Sequence, residues 1–124
     1  MGNSRLLKFR AWDTENKKMG QVTTLDLEMG GVEYQVEKSP FRTITPLTSV
    51  ELMQYTGLKD SKGVEIYEGD IVKFGSIDSM PYKGSVEMRN GCWTAKINDR
   101  QNMILAQHIL EVIGNLYMNP ELIK

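Results

Sequence analysis

The chain is poor in the residues that build disulfides and metal centres. Its 124 residues include one cysteine, Cys92, and one histidine, His108. A single cysteine excludes an intramolecular disulfide and is typical of a reducing cytoplasm. Because two such ligands cannot complete a zinc site, we expect neither a metal nor a cofactor. A Cys92–His108 dyad is conceivable, but a buried thiol and a structural imidazole are the expected roles.

Long apolar runs and an excess of charge of one sign are also lacking. No segment is long enough to span a bilayer, and the opening MGNSRLLKFR contains no apolar core of a secretory signal. Fifteen basic and sixteen acidic residues give a net charge of −1. This balance disfavours a strongly electrostatic nucleic-acid binder, although it says nothing about local basic patches. We expect a globular, cytoplasmic protein that does not contact a membrane.

Short strands separated by turns dominate what is present. RLLKFRAWD, QVTTLDLEM and VEYQV predict an N-terminal three-strand meander, with Gly30-Gly31 as a tight hairpin of positive φ. Farther along, Asn90-Gly91 between GSVEMR and CWTAKI predicts a type I′ hairpin turn. The pattern predicts a mainly β fold (α+β with minor helix). Its architecture is a small β-barrel or sandwich-like domain of short antiparallel strands, with the meander preceding an SH3-like or related barrel unit.

Domain organisation and two local structures depend on proline and glycine. No linker is visible, so residues 1–124 are expected to form one domain, with an internal seam near the prolines of residues 39–46. Thr48 and Glu51 could form a capping box that opens a helix over Val50–Tyr55. A strand is favoured there because Gly57 follows too soon for a stable helix. In Asn119-Pro120, an N-cap residue precedes a proline, which predicts a single helical turn.

The stretch LMQYTGLKDSKGVEIYEGDIVKF contains the candidate chemistry. Asp60 and Asp70 could act as paired carboxylates with a divalent metal, but both stand in predicted turns, where aspartate binds backbone N–H groups. Aromatic rings could stack on nucleic-acid bases beside basic side chains, although rings of this kind more often fill a small core. These aromatic and basic residues are Tyr55, Tyr67, Phe74, Tyr82, Trp93, Lys59, Lys62, Lys73, Lys83 and Arg89.

Three blocks together resemble the YopX-like family of phage and prophage proteins: KFRAWDTENKKM, LMQYTGLKDSKGVEIYEGDIVKF and EVIGNLYMNPEL. The resemblance implies a β-rich fold and a small accessory protein of bacteriophages that infect Gram-positive hosts. It implies no agreed biochemical activity and no catalytic residues. The positions that resemble the family are Arg10, Trp12, Asp13, Tyr55, Gly57, Asp60, Gly63, Tyr67, Gly69, Asp70, Gly114, Asn115, Asn119 and Pro120.

The leading hypothesis is therefore a non-enzymatic accessory protein that binds a host or phage protein and can also self-associate. A nucleic-acid-binding small barrel is the alternative, and a metal-dependent enzyme that uses Asp60 and Asp70 is the least favoured. Nucleic-acid binding would require a contiguous lysine-rich face beside an exposed tyrosine or tryptophan. The candidate residues for partner binding are Tyr55, Lys59, Asp60, Tyr67, Asp70 and Lys73.

Overall fold

The computed structural model describes residues 7–74, 82–107 and 110–123. These residues form eleven β-strands and three short 3₁₀ helices, and every strand pairing is antiparallel. The chain divides into two compact units, Met1–Gln54 and Tyr55–Lys124. The division falls inside a strand, and the seam expected near residues 39–46 lies within the first unit. The prediction of a single domain stays a prediction.

Unit 1 is built from the strands β4-β3-β2-β1-β5, in that order, which are the first five strands of a six-stranded sheet whose sixth strand belongs to unit 2. Period-two alternation buries Ala11, Val32 and Val50, which form its core cluster. Asp13, at the end of the first strand, is also buried and accepts a hydrogen bond from the hydroxyl of Tyr34. The strands are β1 (Phe9–Asp13), β2 (Lys18–Asp26), β3 (Gly31–Gln35), β4 (Arg42–Pro46) and β5 (Val50–Lys59).

The hairpin between β2 and β3 differs from the prediction. Its loop has four residues, Leu27–Gly30, and β3 already begins at Gly31. Only Gly30 has a positive φ, 73°, so the two-residue Gly30-Gly31 turn is wrong. The reason is Asp26, whose Oδ1 accepts the N–H groups of Glu28 and Met29 at 3.1 and 3.0 Å and stabilises a longer turn.

The ambiguous segment after Pro46 is a strand, as favoured. A single 3₁₀ turn, Leu47–Ser49, precedes β5, and no side chain caps that turn, so the capping box is not formed. β5 pairs with β1 through Val50–Gln54, inside unit 1. Its remaining residues, Tyr55–Lys59, belong to unit 2 and pair with β6.

Unit 2 contains a second sheet with the strand order β10-β9-β8-β7-β11. The core cluster consists of buried aliphatic side chains from several elements: Ile66, Val72, Val86, Ala95, Leu105 and Leu110. Short 3₁₀ helices lie at Leu105–Gln107 and Pro120–Ile123. The strands are β6 (Glu65–Tyr67), β7 (Asp70–Phe74), β8 (Tyr82–Arg89), β9 (Cys92–Asn98), β10 (Gln101–Ile104) and β11 (Leu110–Asn115).

Two local predictions in unit 2 are confirmed. Asn90 and Gly91 have φ values of 52° and 81° between β8 and β9, as a type I′ turn requires. A single helical turn begins at Pro120, and the carbonyl of Asn119 accepts the Leu122 N–H. The Asn119 side chain, however, accepts the Asn115 N–H and so also closes the turn that precedes it.

The prediction of a mainly β fold of short antiparallel strands is confirmed. No barrel is closed by the strands of the described ranges, because the outermost strand on each side of a sheet has a single neighbour. Helices in this part of the chain are at most four residues long, and none of them could cross a membrane.

Candidate functional site

Asp60 organises the turn between β5 and β6. Its Oδ1 accepts the N–H groups of Lys62 and Val64, both at 2.9 Å, and its Oδ2 accepts the Val112 N–H at 3.0 Å. Burial raises the pKa of Asp60, but these backbone hydrogen bonds and the nearby Lys62 ammonium outweigh it, so the pKa is lowered. The carboxylate therefore joins its own turn to β11.

Asp70 occupies the next turn, between β6 and β7. Its Oδ2 accepts the Tyr67 N–H at 2.8 Å, and its side chain is buried. Gly69, beside it, has a φ of 85°, a left-handed geometry that favours glycine. The turn roles predicted for the aspartate and the glycine are both present here.

The two tyrosines of the stretch are core residues. Tyr55 and Tyr67 are buried, and their ring centroids lie 5.4 Å apart with the ring planes tilted by 40°. This separation is within the range preferred by aromatic pairs. Lys59 and Lys73 are the exposed members of the candidate set, on β5 and β7. That these six residues contact a partner stays a prediction, and four of them face the interior.

Asp60 and Asp70 are held by different backbone segments. Asp60 binds Val112 of β11, whereas Asp70 lies opposite Asn115 of the same strand, beyond an irregularity in the register. Within residues 7–74, 82–107 and 110–123, no three His, Cys, Asp or Glu side chains are arranged to hold a metal ion. The hypothesis of a metal-dependent enzyme that uses Asp60 and Asp70 therefore gains no support from the described residues, and it stays a prediction.

Cys92 is exposed at the start of β9, so the expectation of a buried thiol is wrong. It directly follows the exposed Asn90-Gly91 turn at the end of the β8–β9 hairpin. His108 lies outside the described residues, and so do its predicted structural role and the Cys92–His108 dyad.

Strand register produces a basic row on one face of the unit 2 sheet. Lys73 of β7 and Lys83 of β8 are direct cross-strand partners, and both are exposed. Ser85 shares a face with Lys83 because it is two residues away, and its partner on β9 is Lys96. Three lysines from three adjacent strands therefore share this face. We call Lys73, Lys83 and Lys96 the lysine row.

The acidic side chains near the lysine row balance it only in part. Glu111 lies opposite Lys73 but forms its ion pair with Lys62, with 2.8 Å between Nζ and Oε2. Lys96 Nζ is 3.9 Å from an Asp99 oxygen, and that side chain is fully exposed, so the pair is weak. No ion pair of Lys83 occurs among the described residues.

A groove runs along this part of the lysine row. Its volume is about 480 Å³, and it is lined by residues of two strands of the sheet and of the last 3₁₀ helix. Ser85 and Asn98 lie beside Lys83 and Lys96 on the sheet, whereas Leu122 and Ile123 come from the last 3₁₀ helix. The lining residues are Tyr82, Lys83, Ser85, Lys96, Ile97, Asn98, Leu122 and Ile123. We call this site the basic groove, and it suits an anionic ligand that also carries apolar groups.

Sequence reasoning identified only part of the basic groove. Lys83 and Tyr82 were among the basic and aromatic candidates, as was Lys73 of the adjoining lysine row, whereas Lys96, Leu122 and Ile123 were missed. Alternation along each strand assigns a residue to one face, but it cannot say which residues of neighbouring strands stand opposite each other. Register between strands decides that, and it depends on the turns and on the whole core.

The family model described as YopX protein matches residues 8–124. The chain belongs to the YopX family. Protein EF1440 from Enterococcus faecalis is 30% identical, with a TM-score of 0.70 over 98% of this chain and 100% of that one. Protein yopX from Bacillus subtilis is 22% identical, with a TM-score of 0.65 over 94% and 95% of the two chains, and supports the fold alone. No curated protein matches the chain. The resemblance noted in the sequence is confirmed.

Proposed function

We propose that this YopX-family protein is a non-catalytic accessory protein that binds an acidic, partly apolar segment of another protein in the basic groove. The phage or prophage origin and the bacterial cytoplasm as its site of action are part of the proposal. They are supported by the YopX-like blocks at Lys8–Met19, Leu52–Phe74 and Glu111–Leu122 and by the single cysteine.

The pairing of Lys73 with Lys83 supports this proposal most directly. Like charges placed directly opposite each other in a sheet are destabilising, so the arrangement lowers the stability of the isolated protein. A carboxylate bound in the groove at Lys83 would relieve this repulsion and gain favourable electrostatic energy from the Lys83 ammonium group. Glu111 lies opposite Lys73 on β11 and offsets this repulsion only in part, which leaves a net positive charge for an anion to bind.

The apolar wall of the groove favours a protein segment over a simple polyanion. Leu122 is half-buried and Ile123 is 43% exposed, and both lie beside Lys83 and Lys96 in the groove. Interfaces between proteins combine an apolar centre with a polar rim, and the exposed Ile123 can supply part of that centre.

A capture experiment with matched variants tests the proposal. The immobilised protein is exposed to lysate of phage-infected cells, and captured proteins are compared between the wild type, Lys83→Glu and Lys18→Glu. Both lysines are exposed on strands, but Lys18 lies on β2 of unit 1. We expect a protein that the wild type and Lys18→Glu retain equally and that Lys83→Glu retains roughly tenfold less, which is about 1.4 kcal/mol. Equal capture by all three proteins would contradict the proposal.

Tyr82 supports a second candidate function, the binding of single-stranded nucleic acid. Its side chain is 47% exposed beside Lys83, which is the combination that base stacking and phosphate contact require. If the lysine row neutralises three phosphates, log K should fall with log salt concentration with a slope of about −2. Gel shifts with a labelled single-stranded nucleic acid at several salt concentrations measure this slope for the wild type and for Tyr82→Ser. Absence of binding at low salt eliminates this function and leaves the protein segment as the ligand.

A further inference from the structure

The outer side of β4 is an open sheet edge in unit 1. Across residues 7–74, 82–107 and 110–123, the strand that pairs with β4 is β3, and no other strand does. Such an edge presents a row of backbone N–H and C=O groups that can pair with another chain. Natural proteins commonly protect edges of this kind, so the groups that this edge exposes are informative.

One hydrogen bond identifies the direction of the backbone groups along β4. Leu47 N–H donates to the Gly30 carbonyl over 2.6 Å, just beyond the β3–β4 pairing. Because directions alternate along an antiparallel strand, Thr43 and Thr45 also point their N–H and C=O groups toward β3. The residues between them therefore point theirs outward.

These outward groups belong to Arg42, Ile44 and Pro46. The first two present both an N–H and a C=O, and the proline presents a C=O alone. A proline is tolerated in an edge strand when its missing N–H would face away from the sheet, and this is the geometry of Pro46. The edge therefore has an outward donor and acceptor at Ile44, in its middle.

Apolar side chains surround the same edge. Ile44 is 77% exposed at its centre, and Phe41, also 77% exposed, precedes its first residue. Leu27 and Met29, 75% and 82% exposed, lie in the β2–β3 turn. This turn adjoins the other end of β4, because its last residue, Gly30, binds Leu47. The edge is thus apolar at its middle and at both ends.

We propose that β4 pairs in antiparallel orientation with β4 of a second copy of this chain, about a twofold axis at Ile44. The two Ile44 residues then exchange N–H···O=C hydrogen bonds, and each Arg42 N–H donates to the Pro46 carbonyl of the other copy. Because Pro46 has no N–H, it cannot donate to the Arg42 carbonyl of the other copy, and the other hydrogen bonds of this register can form. Four intermolecular backbone hydrogen bonds result, and the two β4 edges join the sheets of the two copies into one continuous sheet.

The arrangement of apolar residues favours a second copy as the occupant. A twofold interface must be self-complementary, since each residue meets its counterpart across the axis. The antiparallel register places Phe41 of one copy opposite Leu47 of the other, beside the turn that carries Leu27 and Met29. Arg42 faces Pro46, so no like charges are directly opposed. The interface is formed by residues of unit 1, whereas the residues of the basic groove belong to unit 2, so this inference goes beyond the proposed function.

Sedimentation of the full chain over a wide range of concentration tests the association. The wild type should rise from the monomer mass of 14.1 kDa toward twice that value. Ile44→Lys places two like charges at the axis and should remain monomeric. Ile104→Lys is the matched control, since Ile104 is exposed on β10, the edge strand of the other sheet. A monomeric wild type at all concentrations, or equal loss of association in both variants, overturns the proposal.

Ile44→Pro provides an independent variant, because it removes only the outward N–H and should abolish dimers while the inward hydrogen bonds to β3 remain. Circular dichroism establishes that each variant is folded. If Ile44→Pro is unfolded, Ile44→Lys still decides the result.

Disulfide trapping tests the register. In a Cys92→Ser background, Ile44→Cys places two thiols on a hydrogen-bonded pair whose Cα atoms lie about 5.5 Å apart, within the roughly 4.4–6.8 Å of a disulfide. Mild oxidation should give a covalent dimer on a non-reducing gel. Arg42→Cys in the same background faces Pro46 of the other copy and should give little. Equal cross-linking of the two variants would contradict the twofold axis at Ile44.

Discussion

Single aspartates hold several turns of this protein, and they do so in two ways. Asp26 uses one oxygen, Oδ1, to accept both the Glu28 and Met29 N–H groups. Asp60 uses both oxygens, one for its own turn and one for Val112 of β11. An asparagine has one carbonyl oxygen and one NH₂ group, so it can replace the first arrangement but not the second.

This difference predicts unequal effects of one chemical change at two positions. Asp60→Asn should lower the free energy of unfolding by about 1–3 kcal/mol, because the new NH₂ group must face a backbone N–H in a buried site. Asp26→Asn should change it by less than about 0.5 kcal/mol, as an exposed substitution that keeps its acceptor. Urea unfolding of the two variants and the wild type measures both values. Equal values would show that the contact with Val112 contributes little.

At the scale of elements, a single glycine positions β7. Gly69 connects β6 to β7, and its backbone N–H donates to Val86 and its C=O accepts from Leu116, both over 2.9 Å. Its φ of 85° is accessible to glycine and strained for any residue with a Cβ. The strands that it joins contain the buried Ile66 and Ile71, so a shift at this turn would reach the core.

Gly69→Val should therefore destabilise the protein by about 2 kcal/mol or more, since a β-branched side chain is especially strained at positive φ. Gly31→Val is the matched control. Gly31 begins β3, has no positive φ, and has open space where a Cβ would lie. We expect the control to be neutral in thermal or urea unfolding. A similar loss in both variants would mean that side-chain size, and not φ, determines the effect.

At the scale of the whole molecule, acid stability depends on a buried carboxylate. Burial raises the pKa of Asp13, but hydrogen bonds from the Tyr34 hydroxyl, from Asn16 and from the Glu15 N–H lower it by more than burial raises it. The net result is a pKa of about 2 in place of the ordinary 3.8. The folded pKa lies below the unfolded one, so the ionised form stabilises the fold.

The stability due to Asp13 should be complete above pH 3.8 and lost as the pH falls to about 2. The loss should be on the order of 2 kcal/mol. Urea unfolding at several pH values measures it. Tyr34→Phe removes one donor and should move the loss to higher pH, whereas Asp13→Asn should weaken the pH dependence. An Asp13→Asn variant with the wild-type pH dependence would contradict this assignment.

Much of the local structure is predictable because it depends on neighbouring residues. The Asn90-Gly91 turn, the turn aspartates Asp60 and Asp70, and the strand at Val50 follow from backbone preferences that act within a few positions. The Gly30-Gly31 prediction was wrong because Asp26 stabilises a longer turn that competes with the two-residue hairpin. That competition is also local, but its outcome depends on which hydrogen bonds the finished turn can form.

The sequence by itself determined the β-rich class, most of the turns and membership of the YopX family. These follow from the alternation of apolar and polar residues, from turn chemistry and from the order of the three family-like sequence blocks. Only the tertiary structure decided that Tyr55 and Tyr67 are buried, that Cys92 is exposed, and that Lys73, Lys83 and Lys96 share one face. Burial and cross-strand neighbours are set by register and by packing of distant segments. A shift of one residue in register would move every side chain to the opposite face.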